Sequence, residues 1–343
     1  MKALVLTEYK KLDIQDVPRP EPKPNELLIR VHSCGICGSD VHGFDGSTGR
    51  RLPPVIMGHE ASGVVAATGS AVEGFREGDR VTFDSMISCG NCVFCRRGEA
   101  NLCDRRQVLG VSCGEFKRDG AFAEYVVVPQ HIAFRLPDSV SFEHAAMVEP
   151  VSVAVHAVNL TPITLGDTGL VVGAGMIGLL IVQALRLAGC SRIFAVDLDD
   201  ARLQMAREMG ADEVFNAKTT DVKAEILART GGRGVDVALE AVGATQPIAT
   251  AIACLKKGGT LTLVGNVAPN IDLALQAVVT RQLRLQGSCA SNNDYPACID
   301  LLSRGAIQVD RLISARVSLD EAADWFDRLY AHEPNLMKVI VQP

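Results

Sequence analysis

Four cysteines crowd one short stretch of this chain: CGNCVFCRRGEANLC sets Cys89, Cys92, Cys95 and Cys103 at C-x2-C-x2-C-x7-C. Thiolates so spaced can wrap a tetrahedral Zn²⁺ with Zn–S bonds of about 2.3 Å. Protein then fills every position, so such a zinc is structural and takes no substrate. Gly90 and Gly98 ease the tight turns, and Arg96 and Arg97 are placed to offset the charge of a tetrathiolate. Buried unliganded cysteines, a redox role or an iron–sulfur cluster account for the spacing less well.

A second set is more dispersed. HSCGICGSDVH holds Cys34 and Cys37 as C-x-x-C, a spacing used both by redox dithiols and by metal sites. His59 and Glu60 follow 22 residues beyond Cys37 in MGHEASGVV, and Glu149 lies farther on in MVEPVSVAVH. Thiolate, imidazole and carboxylate together suit zinc, and a site with few protein ligands keeps a position open for water or substrate. A redox pair would sit in a short βαβ context, whereas a long glycine-rich loop follows Cys37. The reading is therefore metal, with Cys37 as ligand and Cys34 as a buried neighbour. A lone His-Glu pair is ordinary core or surface; its order relative to the four-cysteine block selects the metal reading.

The texture changes to α/β alternation from Asp167. DTGLVVGAGMIGLLIVQALRLAG reads as an apolar strand, a G-x-G-x-x-G turn and an amphipathic helix. Gly173 permits the tight turn, Gly175 admits a pyrophosphate close to backbone, and Gly178 lets helix pack on strand. The helix N-terminus favours the phosphate charge. Asp197 ends the next strand, 19 residues after Gly178. A carboxylate there can bind the adenosine ribose and repel a 2′-phosphate, which favours NAD over NADP. Arg202 is near enough to stack on adenine, with help in holding a 2′-phosphate as the alternative. Further strands at 213–217, 235–243, 260–265 and 283–289 complete a doubly wound parallel sheet.

The elements that must carry the cysteines look different. The first ~150 residues have short alternating strands and many Pro and Gly turns, as in a distorted β-barrel-like domain. A helix at 293–304 and strands at 312–317 and in LMKVIVQP return the chain to that domain, making it discontinuous. At 343 residues the chain is long enough for two domains. With 48% hydrophobic and 22% charged residues it is an ordinary globular protein, and a net charge of −6 argues against nucleic acid or an anionic membrane as partner. The N-terminus lacks a secretory apolar core, and the most apolar stretch is broken by glycines, so a cytoplasmic protein without a membrane span is expected.

Gly58-His59-Glu60, the four-cysteine lobe, DGAFAEY (119–125), EPVSVAVH (149–156) and the nucleotide turn occur in that order over essentially the whole chain. In this the chain resembles the zinc-containing medium-chain dehydrogenases, closest to the polyol branch of sorbitol (L-iditol), galactitol-1-phosphate 5- and L-threonine 3-dehydrogenases. The resemblance implies an α/β protein with a GroES-like zinc catalytic domain at 1–155 and 292–343 and a Rossmann NAD-binding domain at 156–291. It also implies that Cys37, His59 and Glu60 match the catalytic zinc site. Glu149 matches a glutamate that ligates that zinc or moves in and out of its shell, and which of Glu60 and Glu149 holds the metal at rest stays open. Ser39 and His42 match a hydroxyl and an imidazole that relay the alcohol proton to solvent. Ile177, Asp197, Arg202, Val264, Gly265, Ser288, Cys289 and Ala290 match NAD-contacting positions.

The implied reaction is oxidation of a secondary alcohol of a polyol or sugar alcohol to a ketone, by hydride transfer to NAD. The implied cofactors are one catalytic and one structural zinc per chain, and the implied assembly is a homodimer or homotetramer. Sorbitol dehydrogenases carry an arginine where this chain has Ala290, which leaves room for a sugar phosphate or another sugar derivative. Arg50 and Arg51 read as a solvated loop pair, with a phosphate-facing role as the alternative. No pair of partners for the ammonium and carboxylate of threonine is identifiable. A non-catalytic zinc- and NAD-binding protein is the rival from another class, against which every proposed catalytic position holds a chemically competent residue.

Overall fold

The computed structural model describes residues 1–113 and 116–343. The chain divides into two compact units, Met1–Glu149 with Tyr295–Pro343, and Pro150–Asp294.

The first unit is organised around one strand, Glu26–Gly35, whose sequence ELLIRVHSCG is almost wholly buried. It pairs antiparallel with Glu60–Thr68, Tyr125–Pro129 and Lys338–Gln342. The sheet runs Ala133–Arg135, Arg80–Phe83, Glu60–Thr68, Glu26–Gly35, Lys338–Gln342, Ile313–Ser318, with Tyr125–Pro129 joined to Glu26–Gly35 off this path. The ladder between Glu26–Gly35 and Glu60–Thr68 slips at Leu28/Ile29 and at Val31/Ser33. Such bulges bend a strand and re-aim the residues beyond them, here the segment that leads to Cys37. A core of Leu27, Ile29, Val65, Phe83, Val128 and Val339 fills the sheet. Phe122 meets Phe326 edge to face at 5.6 Å, tying the tail's helix Ala322–Tyr330 into that core.

The second unit is a six-stranded, all-parallel sheet in the order Glu213–Asn216, Arg192–Asp197, Thr168–Val172, Val235–Glu240, Leu255–Leu263, Arg284–Gly287. Its inner strands are continuous apolar runs, as expected where helices cover both faces. The order in which successive strands are laid down reverses between Thr168–Val172 and Val235–Glu240, the place where doubly wound sheets bind ligands. Among the described residues no helix is long and apolar enough to cross a membrane.

Gly178, in helix Met176–Leu187, sits so close to Gly173 that an added Cβ would overlap the Gly173 carbonyl oxygen. Gly178→Ala must therefore push the helix away from strand Thr168–Val172. We expect a loss of about 1–3 kcal/mol, the usual range for overpacking, read as a lower thermal midpoint.

Candidate active site and metal centres

The four cysteines of the lobe converge. The Sγ atoms of Cys89, Cys92, Cys95 and Cys103 all lie within 4.8 Å of one another. The Cys92–Cys95 and Cys89–Cys95 separations are 3.5 and 4.0 Å, and a ZnS₄ tetrahedron with bonds of about 2.3 Å has edges of about 3.8 Å. The donors thus fit zinc. Backbone N–H groups point at the sulfurs: Cys89 N and Arg105 N each donate to Cys103 Sγ at 3.3 Å, and Cys95 N donates to Cys92 Sγ at 3.5 Å. Hydrogen bonds from backbone and from Arg105 bring the Cys89 thiol down to about 6. Burial pushes the Cys103 thiol up to about 11, a cost that a bound cation offsets. The guanidinium that reaches the cluster is not Arg96 or Arg97, both exposed, but Arg105, whose Nη2 lies 3.4 Å from Cys89 Sγ. Sequence distance favoured the first two; the fold of the loop after Cys103 decides for the third.

The second centre joins residues from separate strands. Cys37, at the N-cap of helix Gly38–Phe44, lies with His59 and Glu60 in a cluster whose ligand atoms are all within 4.8 Å. Cys34 is buried and unbridged, so the C-x-x-C is not a disulfide. Sulfur, imidazole nitrogen and carboxylate oxygen form a donor set that fits zinc. Ser39 leans into the same place, its Oγ 3.3 Å from Cys37 Sγ and 3.4 Å from His59 Nε2.

Three residues to which the sequence assigns no site role hold this cluster. Asp40, with no solvent exposure, accepts from Cys37 N at 3.3 Å through Oδ2 and faces His59 Nδ1 at 3.3 Å through Oδ1. The His59 contact is close enough for charge attraction but is not aligned as a hydrogen bond. Burial opposes its ionisation, but the charges of His59 and Arg51 hold the carboxyl far below the usual range. Arg51 is only 2% exposed and donates to Asp40 Oδ1 at 2.7 Å and to Ser39 Oγ at 3.2 Å. It is neither a solvated loop residue nor one facing a phosphate; Arg50 alone stays exposed. Lys338, on the last strand, donates to Glu60 Oε2 at 2.5 Å and to the Ile36 carbonyl at 3.0 Å. Gly35 makes room for that carboxylate, since a Cβ there would overlap Glu60 Oε2.

Glu149 opens helix Val148–Asn159 and stands outside the three-ligand cluster. The residue keeps some solvent contact, but its carboxyl is densely surrounded. Burial, with the Glu60 charge, pushes it up to about 7. His42, on the exposed side of helix Gly38–Phe44, makes no direct hydrogen bond to Ser39 among the described residues.

In the second unit the glycine turn is built as its sequence requires. Gly173 has φ +96°, and Gly175 caps the next helix. Asp197 Oδ2 accepts from Ala174 N at 2.7 Å, and Oδ1 accepts from Leu198 N and Asp199 N at 2.7 and 3.0 Å. The carboxylate is thereby fixed beside the turn. Arg202 is exposed on helix Asp200–Glu208, and Ile177 is half-buried. Val264 N and Gly265 N both donate to the Glu240 carbonyl, at 2.9 and 3.0 Å. Gly265 and Gly243 touch backbone to backbone, so a Cβ on either would overlap the other. Ser288 N donates to Leu263 O at 2.9 Å while its Oγ is buried without a partner. Cys289 is exposed and Ala290 adopts φ +51°.

Known proteins match this arrangement along its whole length. The family described as Alcohol dehydrogenase GroES-like domain matches residues 23–138, and that described as Zinc-binding dehydrogenase matches 177–304. Sorbitol dehydrogenase of Bacillus subtilis (strain 168) is 36% identical, over 100% of this chain and 97% of that protein. (R,R)-butanediol dehydrogenase of the same organism is 34% identical over 100% of both chains. A solved structure described as a zinc-binding dehydrogenase from Sinorhizobium meliloti 1021, bound to NADP, has a TM-score of 0.91 and 36% identity, covering 100% of this chain and 99% of that one.

Two outcomes are expected. Cys103→Ser should lower bound zinc by about one per chain and lower the thermal midpoint while leaving the Cys37 site loaded, as metal analysis beside calorimetry would read. The second concerns pH. In a Cys37→Ser chain, folded Glu149 holds its proton to about pH 7 against an ordinary 4.5. The folded state therefore binds more protons in that window, and stability falls as pH rises through it. Adding Glu149→Gln should flatten that slope in thermal midpoints taken from pH 4.5 to 7.5.

Proposed function

Because this chain belongs to the zinc-dependent medium-chain dehydrogenases of the polyol branch, we propose that Cys37, His59, Glu60 and Glu149 are its catalytic zinc site. Zinc and a nicotinamide dinucleotide are its cofactors, and its reaction is the oxidation of a secondary alcohol of the polyol class to a ketone. The observation that carries the site assignment is the convergence of Cys37, His59 and Glu60 within 4.8 Å, with the Ser39 hydroxyl against both Cys37 and His59.

When bound, the zinc acts as a Lewis acid that acidifies the alcohol, and the nicotinamide accepts the hydride. The residues do the rest. Ser39 Oγ accepts the alcohol proton and gives up its own, which travels toward His42 and solvent. No hydrogen bond joins Ser39 to His42 directly among the described residues, so the proton's path between them would need a bridging hydrogen-bonding group such as a water. Asp40 keeps the His59 ring turned so that Nε2 faces Cys37 and Ser39. Lys338 offsets the charge of Glu60 and fixes one of its oxygens. Glu149, which opens its helix outside the three-ligand cluster, is the carboxylate we assign to enter and leave the metal's shell or to accept from a vicinal hydroxyl.

For the cofactor we favour NAD. Asp197 is an anion fixed by three backbone N–H groups beside the phosphate turn, so a 2′-phosphate would meet an immobile like charge. Gly173, Gly175, Gly178, Ile177, Arg202, Val264, Gly265, Ser288 and Cys289 are proposed as its remaining contacts. A homo-oligomer is supported by the exposed Val267, Leu273, Leu275 and Val279 that precede edge strand Arg284–Gly287. A four-thiolate zinc lobe needs reduced cysteines, which suits the cytoplasm.

NADH formation across polyols, polyol phosphates, 2,3-butanediol and L-threonine tests the reading. One alcohol class should turn over, and Cys37→Ser should lower that activity more than about 100-fold. Asp197→Ser should shift the preference toward NADP. Zinc-replete protein that binds NAD yet oxidises no alcohol would overturn it.

A further inference from the structure

Arg51 is among the largest fully buried side chains of the molecule, yet no step above requires it. Its Nη2 bridges the Asp40 carboxylate at 2.7 Å and the Ser39 hydroxyl at 3.2 Å. Its Nε is buried without a partner. A guanidinium chosen for stability alone would have every donor used, and an apolar side chain would fill a buried place at lower cost. Gly43 is shaped to it, since an added Cβ there would lie 2.6 Å from Arg51 Cγ. The position is built for this side chain, and what it touches is the proposed proton relay.

We infer that Arg51 is a positioning residue for the relay: its guanidinium locks the Ser39 hydroxyl in the orientation that passes a proton in single file. The inference rests on the reading of Ser39 given above. A hydroxyl has one hydrogen and two lone pairs, whereas a guanidinium only donates. Arg51 therefore occupies one lone pair of Ser39 Oγ and can never receive its hydrogen. One lone pair and one hydrogen remain; at rest the hydrogen is given to Cys37 Sγ at 3.3 Å, and His59 Nε2 lies 3.4 Å from Oγ. That inventory matches one acceptance and one donation. The alcohol O–H breaks as a new Ser39 O–H forms, and the former Ser39 hydrogen leaves toward the next oxygen on the way to His42. One proton enters and one departs. Without Arg51 the second lone pair is free, and the hydroxyl can rotate out of line. Because Asp40 shares the same Nη2, the orientation of Ser39 is also coupled to the carboxylate that faces His59.

The test uses the zinc-replete enzyme and its best alcohol, with Arg51→Met, Ser39→Ala and the double variant. Zinc per chain, kcat, KM and the solvent deuterium isotope effect are measured on each. For Arg51→Met we expect two zincs retained, KM changed less than about 3-fold, kcat lowered about 10- to 100-fold and a larger solvent isotope effect as proton transfer becomes limiting. In the Ser39→Ala background, Arg51→Met should cost nothing further, because both act through one hydroxyl. Equal losses in both backgrounds, or a fall in zinc and stability with kcat per zinc unchanged, would overturn the inference. If Arg51→Met does not fold, Gly43→Ala displaces the stem without removing the charge and should reproduce the same kcat loss and isotope effect; unchanged values overturn the inference. Ser39→Ala with wild-type kcat would sink the relay itself, an outcome distinct from an impaired Ser39→Ala beside an unimpaired Arg51→Met.

Discussion

A carboxylate with no solvent exposure sits beneath the Cys37 site, and the surrounding geometry depends on keeping it ionised. Asp40 does this by giving each oxygen a partner: the Cys37 N–H on one side, the Arg51 guanidinium and the edge of the His59 ring on the other. An uncompensated buried charge would be expelled by desolvation. With its partners in place, the same charge becomes an anchor. It caps the helix that presents Cys37 and Ser39, it orients the His59 ring, and it draws the loop before Val55 inward through Arg51. Cysteine, hydroxyl and imidazole are thus referred to one point.

The carboxylates around that point are treated unequally. Glu60 is matched by Lys338, an ion pair only 1% and 3% exposed on its two sides. Burial disfavours a charged Lys338, but Glu60 outweighs it and raises the lysine's pKa. For Glu149, burial and the Glu60 charge outweigh Lys338 and His59, and its proton stays on to near neutral pH. One carboxylate is fixed by an ion pair; the other is held by its surroundings, outside the three-ligand cluster.

The nucleotide unit works on a different principle. Its proposed site is mostly backbone: the turn at Gly173, the Asp197 carboxylate hydrogen-bonded to Ala174, Leu198 and Asp199, and the loops at Gly243 and Gly265 in direct contact. Such contacts need only the absence of a Cβ and a correct sheet order. Side-chain chemistry enters chiefly through Asp197, where the choice between NAD and NADP is concentrated.

These two designs explain how much the sequence disclosed. The parallel sheet, its glycine turn and Asp197 were legible because each is a local pattern in which strand, turn and helix follow directly along the chain. The cysteine lobe was legible for the same reason, its donors spanning only Cys89–Cys103. Cys37, His59 and Glu60 were legible as candidate ligands by residue type and order. Asp40 carried a weak signal, an acidic residue at the third position after a helix cap, that went unread. Lys338, Arg51 and Arg105 carried none. Lys338 reaches Glu60 only because the last strand pairs Ile340 with Gly35, which itself pairs with Glu60. Arg51 turns inward only because Gly43 leaves space and Asp40 supplies charge. Local spacing determined which atoms could bind metal and dinucleotide; the counter-charges that make those atoms usable were decided by tertiary structure, since charge compensation acts through space and leaves no periodicity in the chain.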